Sequence, residues 1–505
     1  MKRLLRFLTN KVTIIAFITL LQIIFFVLIV LFLAEKYNYL LVVNYGLSFI
    51  MVIIVLKSDD LPVYKMSWVV PMLVAPIFGG LFYLTFKPFS QRRKIRKTVI
   101  QLDNIRKESL LPYFKELPQL PARYQKQITY LEGEGWPYFA NTNLTFLPSG
   151  EAKLTKVIEE LKKAQKSIFL HYFILDEKGQ VWNHILPILV NKINAGVDVR
   201  LLYDDFGTSS KVKSNFKQRM NQLGIKTTIF NPLKLRFQVS LNYRDHRKMI
   251  IIDNEKAFTG GINIADEYVN IKKKFGHWHD AAIFLEGDAV IAMTASFIEA
   301  WNLYNPDKLT LTDHLPTNNF AYDGYVIPYH DSPFLKNYTT KNLFTQMLYA
   351  AKDEIFITTP YFIVDSEIIN TIKIQALSGV KVTIIIPKIP DKKFVYVLTK
   401  YYLRELVDIK NVYIYQYTPG FIHSKIVYID GASAAIGTVN FDFRSFYLHF
   451  ENTVWFYQSK TLQEIKKFLD ETIAKSTQMS LKDLDNKNIF YRIFRSLLVG
   501  VSHLL

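Results

Sequence analysis

The chain has 505 residues, of which 50% are hydrophobic, and it carries a formal net charge of +18. A single hydrophobic core stops growing near about 250–300 residues, so a chain of this length is expected to form two soluble domains and a further segment. The absence of cysteine excludes disulfides and cysteine-based zinc or redox sites. The basic surplus favours an anionic partner, either nucleic acid or an acidic membrane surface.

Three apolar runs lie near the amino terminus. Residues 13–34 carry no charge, and about 20 such residues suffice to cross a bilayer. A second run covers 39–56, and a third, 67–86, is interrupted by proline and glycine and is therefore expected to be interfacial or re-entrant. Basic residues flank both ends of the region, which places both ends in the cytoplasm by the positive-inside rule. We predict a membrane anchor of two or three hydrophobic helices over residues 1–90, in a multi-pass cell-membrane protein whose later domains face the cytoplasm.

From about residue 140, short apolar runs alternate with amphipathic segments, which is typical of α/β architecture. A strand–helix–strand unit is written twice, with its strands at 168–176 and 196–205 and again at 355–365 and 379–388. The soluble part is therefore predicted to be a duplication, with one α/β domain over residues 91–312 and a second over residues 313–487. The tail, 488–505, contains no acidic residue and is predicted to form an amphipathic helix at the membrane interface.

A second repeat carries the chemistry. Residues 246–263 read HRKMIIIDNEKAFTGGIN, and residues 423–440 read HSKIVYIDGASAAIGTVN. Counting from each histidine, lysine stands at +2, aspartate at +7, glycine at +14 and asparagine at +17 in both copies. The shared positions are His246, Lys248, Asp253, Gly260 and Asn263 in the first copy and His423, Lys425, Asp430, Gly437 and Asn440 in the second. A carboxylate follows each copy, Asp280 in HWHDAAIF and Glu451 in LHFENTVW.

These residue types suit phosphodiester cleavage. Side chains two apart on a strand share a face, so each lysine lies beside its histidine. Two ammonium groups and two amides can hold the non-bridging phosphate oxygens, while one imidazole attacks phosphorus and the other protonates the departing alcohol. Asp280 and Glu451 are suited to bond the far ring nitrogen of each histidine. Asp253 and Asp430 open turns and are expected to have a positioning role.

No metal or other cofactor is expected, because lysine is not a usual ligand and the spacings lack paired zinc ligands. The remaining histidines have no duplicate. His171, at the end of a predicted strand, is expected to line the site or to be structural.

The two motifs resemble the HxKxxxxD motifs of the phospholipase D superfamily, and the chain resembles its bacterial cardiolipin synthase branch. The segments that carry the resemblance are SWVVPMLVAPIFGGLFYL, LYDDFG, NYRDHRKMIIID, TGGINIADEY, TPYFIVD, GFIHSKIVYID and GTVNFDFRSFYLHFEN. The resemblance implies two tandem phospholipase D-like α/β/α sandwich domains related by a pseudo-twofold axis. YHDSPF, at 329–334, departs from the Ser-Gly-Pro segment common in the family, which puts in doubt substrate contacts carried over to that segment.

By resemblance, the substrate is phosphatidylglycerol, and the reaction joins two of these molecules into cardiolipin with release of glycerol. The first histidine, His246, would be the nucleophile, and His423 the acid and then the base. The residue spacing alone leaves that assignment open, and it does not indicate the oligomeric state. The alternatives are a hydrolase that releases phosphatidic acid, a nucleic-acid phosphodiesterase and a non-enzymatic scaffold. The hydrophobic start disfavours a nucleic-acid partner and favours an anionic lipid membrane.

Overall fold

A computed structural model describes residues 38–58, 62–74, 79–80, 83 and 89–505, except for 233–242, 312–322, 336, 486–487, 501 and 505, together with residues 24, 28, 31 and 32. The helices are α1 (Asn38–Leu56), α2 (Pro62–Val74), α3 (Phe89–Leu110), α4 (Ala122–Gly133), α5 (Gly150–Lys163), α6 (Gln180–Asn194), α7 (Asp205–Thr208), α8 (Phe216–Gln222), α9 (Val290–Tyr304), α10 (Thr339–Ala350), α11 (Ser366–Leu377), α12 (Lys393–Arg404), α13 (Phe443–Tyr447), α14 (Thr461–Ala474), α15 (Leu481–Leu484) and α16 (Ile489–Gly500).

The strands alternate with these helices along most of the chain. They are β1 (Thr142–Leu147), β2 (Ser167–Tyr172), β3 (Asp198–Asp204), β4 (Lys226–Phe230), β5 (Arg244–Asp245), β6 (Lys248–Ile252), β7 (Lys256–Gly260), β8 (His277–His279), β9 (Ala282–Gly287), β10 (Tyr325–Asp331), β11 (Glu354–Thr358), β12 (Phe362–Ile363), β13 (Lys381–Pro387), β14 (Val412–Tyr417), β15 (Gly420–Ile422), β16 (Ile426–Ile429), β17 (Ser433–Gly437), β18 (Phe441–Asp442), β19 (His449–Tyr457) and β20 (Ser476–Gln478).

The two main sheets have the same topology. The strand order of the first is β1-β9-β7-β6-β2-β3-β4, and that of the second is β10-β19-β17-β16-β11-β13-β14-β20. In each sheet a parallel trio joins an antiparallel half, and the extra strand β20 extends one edge of the second sheet. The predicted duplication and mixed α/β class are confirmed. The predicted boundary at residues 312 and 313 lies outside the described residues, and one sheet lies on each side of it.

Local sequence explains the start of several helices. The Ser149 hydroxyl accepts a hydrogen bond from the Ala152 amide at the start of α5, and Asp365 caps α11 through the Ile368 amide. All six residues of β2 are buried, as expected for a central strand covered on both faces. A single hydrophobic cluster runs through both halves, with the almost entirely buried α9 at its centre. The halves therefore share a core.

The amino-terminal region contains α1 and α2, which pack against each other. The Ser48 hydroxyl donates to the Met72 carbonyl oxygen at 2.7 Å, and Val55 and Val69 are buried between the helices. The predicted run 39–56 is helical, whereas all but four residues of the first run, 13–34, lie outside the described residues. Within the described part of the chain, no helix combines the length and hydrophobicity needed to cross a membrane.

Two short strands cross between the halves. β5, which precedes the first motif, pairs in parallel with β19 of the second half, with Arg244 opposite His449. β15, which precedes the second motif, pairs in parallel with β8 of the first half, with Gly420 opposite His277. The strand directly before each motif is therefore paired with a strand of the opposite half.

Candidate active site

The two motif histidines occupy equivalent positions at these crossings. The backbone amide of His246 donates to the Phe450 carbonyl oxygen at 2.8 Å, and that of His423 donates to the His279 carbonyl oxygen at 2.7 Å. Both side chains are almost entirely buried. The backbone of the opposite half thus fixes the position of each imidazole.

Each imidazole is paired with a carboxylate of the opposite half. His246 Nδ1 lies 3.0 Å from both carboxylate oxygens of Glu451, and His423 Nδ1 lies 2.7 Å from Asp280 Oδ2. Both carboxylates are fully buried. Because a carboxylate only accepts hydrogen bonds, Nδ1 carries the proton in each ring and Nε2 keeps its lone pair. The sequence suggested two histidine–carboxylate contacts, and the structure makes both of them across the halves.

The two motif lysines are buried behind the histidines. Lys248 Nζ donates to the His246 carbonyl oxygen at 2.5 Å, and Lys425 Nζ makes the equivalent contact with the His423 carbonyl oxygen. Burial lowers the pKa of Lys248 to about 7 and that of Lys425 to about 8. Both lysines therefore lose their positive charge near neutral pH, and a bound phosphate anion would stabilise the charged form.

The same burial keeps both imidazoles neutral. Burial and the nearby Lys248 charge hold the pKa of His246 well below its usual range. Burial and Lys425 lower the pKa of His423 to about 4, although Asp280 opposes this shift. At neutral pH, both rings are therefore neutral in the protein without substrate.

Asp253 and Asp430 lie at the opposite ends of their strands from the histidines. Lys248 is the first residue of β6, and Asp253 directly follows the last. At the usual rise per residue, the two positions are roughly 16 Å apart along the strand. Both aspartates adopt left-handed backbone conformations, with φ of 54° and 51°. Each carboxylate accepts hydrogen bonds from three consecutive backbone amides, those of Gln165, Lys166 and Ser167 for Asp253 and those of Lys352, Asp353 and Glu354 for Asp430. Neither carboxylate is brought to the histidines.

The motif asparagines are buried. Asn263 Oδ1 accepts a hydrogen bond from the Ile174 amide at 3.1 Å. Asn440 Oδ1 has no hydrogen-bond partner within the part of the chain that the structure describes.

The strand before each motif asparagine ends at a glycine, because the neighbouring strand leaves no room for a side chain there. A Cβ on Gly260 would lie 2.5 Å from the Ala281 carbonyl oxygen, and a Cβ on Gly437 would lie 2.3 Å from the Asn452 carbonyl oxygen.

Sequence reasoning missed two residues close to side chains of the site, His449 beside His246 and Glu451, and Lys153, whose charge acts on Lys248. The ring of His449 lies 5.6 Å from that of His246, and its Nδ1 lies 3.6 Å from Glu451 Oε1. Lys153 is buried, donates to the Ile262 carbonyl oxygen at 3.0 Å, and has its pKa lowered to about 7 by burial. Lys153 lies outside the repeated motifs, so no sequence pattern pointed to it. His449 stands two positions before Glu451, where the other copy has Trp278.

Two other histidines are structural. His171 is fully buried and lies 2.9 Å from Asp245, which excludes it from lining an open site. In the divergent YHDSPF segment, His330 Nε2 lies 3.3 Å from Glu299, and Asp331 accepts hydrogen bonds from two backbone amides. These contacts give the polar side chains of the segment structural partners.

Comparison with known proteins places the chain in a family. The family model "Cardiolipin synthase, PLD-like domain" matches residues 157–300 and 344–473, more than half of the chain. The chain belongs to the cardiolipin synthase family. A second model, "Phospholipase D-nuclease N-terminal", matches residues 46–88.

Relatives in this family match along almost their whole length. A cardiolipin synthase of Oceanobacillus iheyensis is 35% identical over 88% of this chain and 94% of its own. A cardiolipin synthase of a Geobacillus strain is 32% identical over 92% of this chain and 93% of its own. The crystal structure of a Haemophilus influenzae phosphatidylserine synthase aligns with a TM-score of 0.57 at 15% identity, covering 76% of this chain and 98% of that one. At that identity it supports the fold alone.

Proposed function

We propose that this protein, a phosphatidyltransferase of the phospholipase D superfamily, is a cardiolipin synthase that joins two phosphatidylglycerol molecules and releases glycerol. The observation that carries the proposal is the pair of buried imidazoles, His246 and His423, each oriented by a carboxylate of the opposite half. Such a pair offers one neutral nucleophile and one proton carrier for a single phosphodiester.

In the first step, His246 Nε2 attacks the phosphorus of phosphatidylglycerol. The bond from phosphorus to the glycerol oxygen breaks, and His423 donates a proton to that oxygen. The products are glycerol and a phosphatidyl group on His246. His423 must be protonated for this step, although its pKa is about 4 in the protein without substrate. The negative phosphodiester raises that pKa on binding, because an opposite charge favours the protonated ring.

In the second step, a hydroxyl of another phosphatidylglycerol attacks the same phosphorus. His423, now neutral, takes the hydroxyl proton, and the bond between phosphorus and His246 breaks. Cardiolipin is formed and the nucleophile is regenerated. Lys248, Lys425, Asn263 and Asn440 are assigned to the phosphate oxygens, where charge accumulates.

Asp253 and Asp430 are assigned a positioning role. Each ties the turn after its motif strand to the loop before the neighbouring central strand. This fixes the register of β6 and β16, and thereby the positions of Lys248, at the start of β6, and Lys425, directly before β16, relative to the phosphate.

Helices α2 and α16, near the two ends of the described chain, support a membrane location. The carboxyl-terminal segment contacts α2, where the Ser67 hydroxyl bonds the His503 ring and Tyr64 packs edge-on against it. α16 exposes an apolar face to solvent, formed by Ile489, Phe490, Ile493, Phe494 and Leu497. A helix of this kind binds at a bilayer interface. Residues 1–90 are proposed to anchor the protein, with the catalytic halves on the cytoplasmic side and anionic lipid, not nucleic acid, as the partner.

The purified full chain in detergent, incubated with labelled phosphatidylglycerol and a chelator, tests the proposal. Cardiolipin and glycerol in equal amounts are expected. Phosphatidic acid would make the protein a hydrolase instead, and activity lost in chelator but restored by magnesium would refute the metal-independent mechanism. The His246→Ala variant serves as the inactive control.

A further inference from the structure

The imidazole of His449 is almost entirely buried beside the Glu451 carboxylate. Its side chain is 10% exposed, and neither ring nitrogen has a hydrogen-bond partner among the described residues. An unsatisfied buried polar group costs about 1–3 kcal/mol, so such groups usually face a ligand or water.

The surroundings of this imidazole match a transition-metal site. One ligand atom each from His246, His449 and Glu451 lies within 4.8 Å of the other two. Tetrahedral zinc with bonds of about 2.0–2.1 Å places its donor atoms about 3.3 Å apart. The observed separations from Glu451 Oε1, 3.0 Å to His246 Nδ1 and 3.6 Å to His449 Nδ1, lie on either side of that value.

The donor types favour a transition metal such as zinc over magnesium or calcium. Two imidazoles and one carboxylate suit zinc, with a fourth position left for water, whereas magnesium and calcium prefer oxygen ligands. The equivalent place beside Asp280 holds Trp278, which cannot coordinate a metal. The neighbouring Lys248 and Lys425 charges oppose a cation, so reversible binding is expected.

We propose that Zn²⁺ binds to His246, His449 and Glu451 and inhibits the enzyme reversibly; the inhibitory part rests on the proposed function. Coordination uses the Nδ1 lone pair of His246, so the Nδ1 proton leaves and the neutral ring carries its proton on Nε2. That nitrogen then has no lone pair to attack phosphorus. Glu451 is also drawn away from orienting the ring.

Metal binding can be measured without reference to catalysis. The full chain in detergent is freed of metal with chelator, exchanged into plain buffer and titrated with Zn²⁺ against a chromophoric chelator. One equivalent is expected to bind to the wild type. Binding to His449→Asn should be at least about tenfold weaker, the smallest loss expected even for a group that only supports a metal ligand. His184→Asn, a change at an exposed position on α6, is the matched control and should bind like the wild type.

Two further readouts make the outcome decisive. Co²⁺ should give the visible absorption of a four-coordinate ion in the wild type and in His184→Asn, and cardiolipin formation should fall in parallel with Zn²⁺ occupancy and return with chelator. Equal Zn²⁺ affinity in the wild type and His449→Asn, or no four-coordinate Co²⁺ spectrum in the wild type, would overturn the site. Metal-free protein that makes no cardiolipin would instead refute the proposed function, whatever the binding result.

Discussion

The crossed pairing of histidine and carboxylate predicts which chemical step each carboxylate supports. Glu451→Gln removes the charge from a buried group that lies 3.0 Å from His246 Nδ1 through both oxygens. A charge-assisted hydrogen bond contributes about 1.5–3 kcal/mol, and the buried, two-oxygen contact favours the upper half of that range. At about 1.4 kcal/mol per tenfold, attack by His246 should slow by about 40- to 140-fold.

A nitrophenyl phosphodiester lipid separates the two steps, because its leaving group needs little protonation. Release of nitrophenol should show a burst near one per active site, and the burst rate reports attack by His246. Glu451→Gln should slow the burst. Asp280→Asn should leave the burst rate within about threefold and slow the steady turnover that follows, because that turnover needs His423 as base.

The identity of the nucleophile is fixed separately by mass spectrometry of the phosphatidyl adduct trapped in His423→Ala. Whichever histidine carries the adduct, the carboxylate that slows the burst should come from the opposite half. A burst slowed by the carboxylate of the same half would refute the crossed arrangement. Finding the adduct on the His423 peptide would reverse the two roles and leave the crossed pairing intact.

Three further outcomes are expected. Asp430→Asn should lower the free energy of unfolding by on the order of 2–4 kcal/mol in denaturant titrations, because three backbone amides and Arg123 lose a charged acceptor; a loss no larger than that of the exposed Asp470→Asn would contradict this. kcat/KM for the nitrophenyl lipid should fall as pH rises through about 7 to 8, since Lys248 and Lys425 lose their charge above pKa values of about 7 and 8; a rate that rises through that range would count against the assignment of both lysines to the phosphate oxygens. Removal of residues 1–90 should preserve turnover in detergent micelles but reduce it on intact vesicles, and equal activity on vesicles would show that the anchor is not needed for substrate access.

The sequence was informative where the chemistry is repeated along the chain. Two identical sets of offsets from His246 and His423 identified the duplicated motif and its residue types, and alternating apolar runs predicted the α/β class. The helix over residues 39–56 was equally plain, because an apolar run of that length has few alternatives. These features are local, so they can be read from neighbouring positions.

The motif spacing by itself did not reveal how the two copies meet. Asp253 and Asp430 share the motif with the histidines but lie at the other end of a strand, because an extended backbone carries residues seven positions apart far from each other. Their shared spacing reflects a common turn and not a common site.

By itself, then, the sequence determined the fold class, the duplicated motif and the resemblance to the family. Only the tertiary structure decided that Glu451 is hydrogen-bonded to His246, that Asp280 is hydrogen-bonded to His423 and that His449 lies beside the first pair. These contacts depend on β5 pairing with β19 and β15 pairing with β8, across halves whose partners are more than a hundred residues apart. Pairing at that distance is set by the packing of the shared core, which no local periodicity encodes.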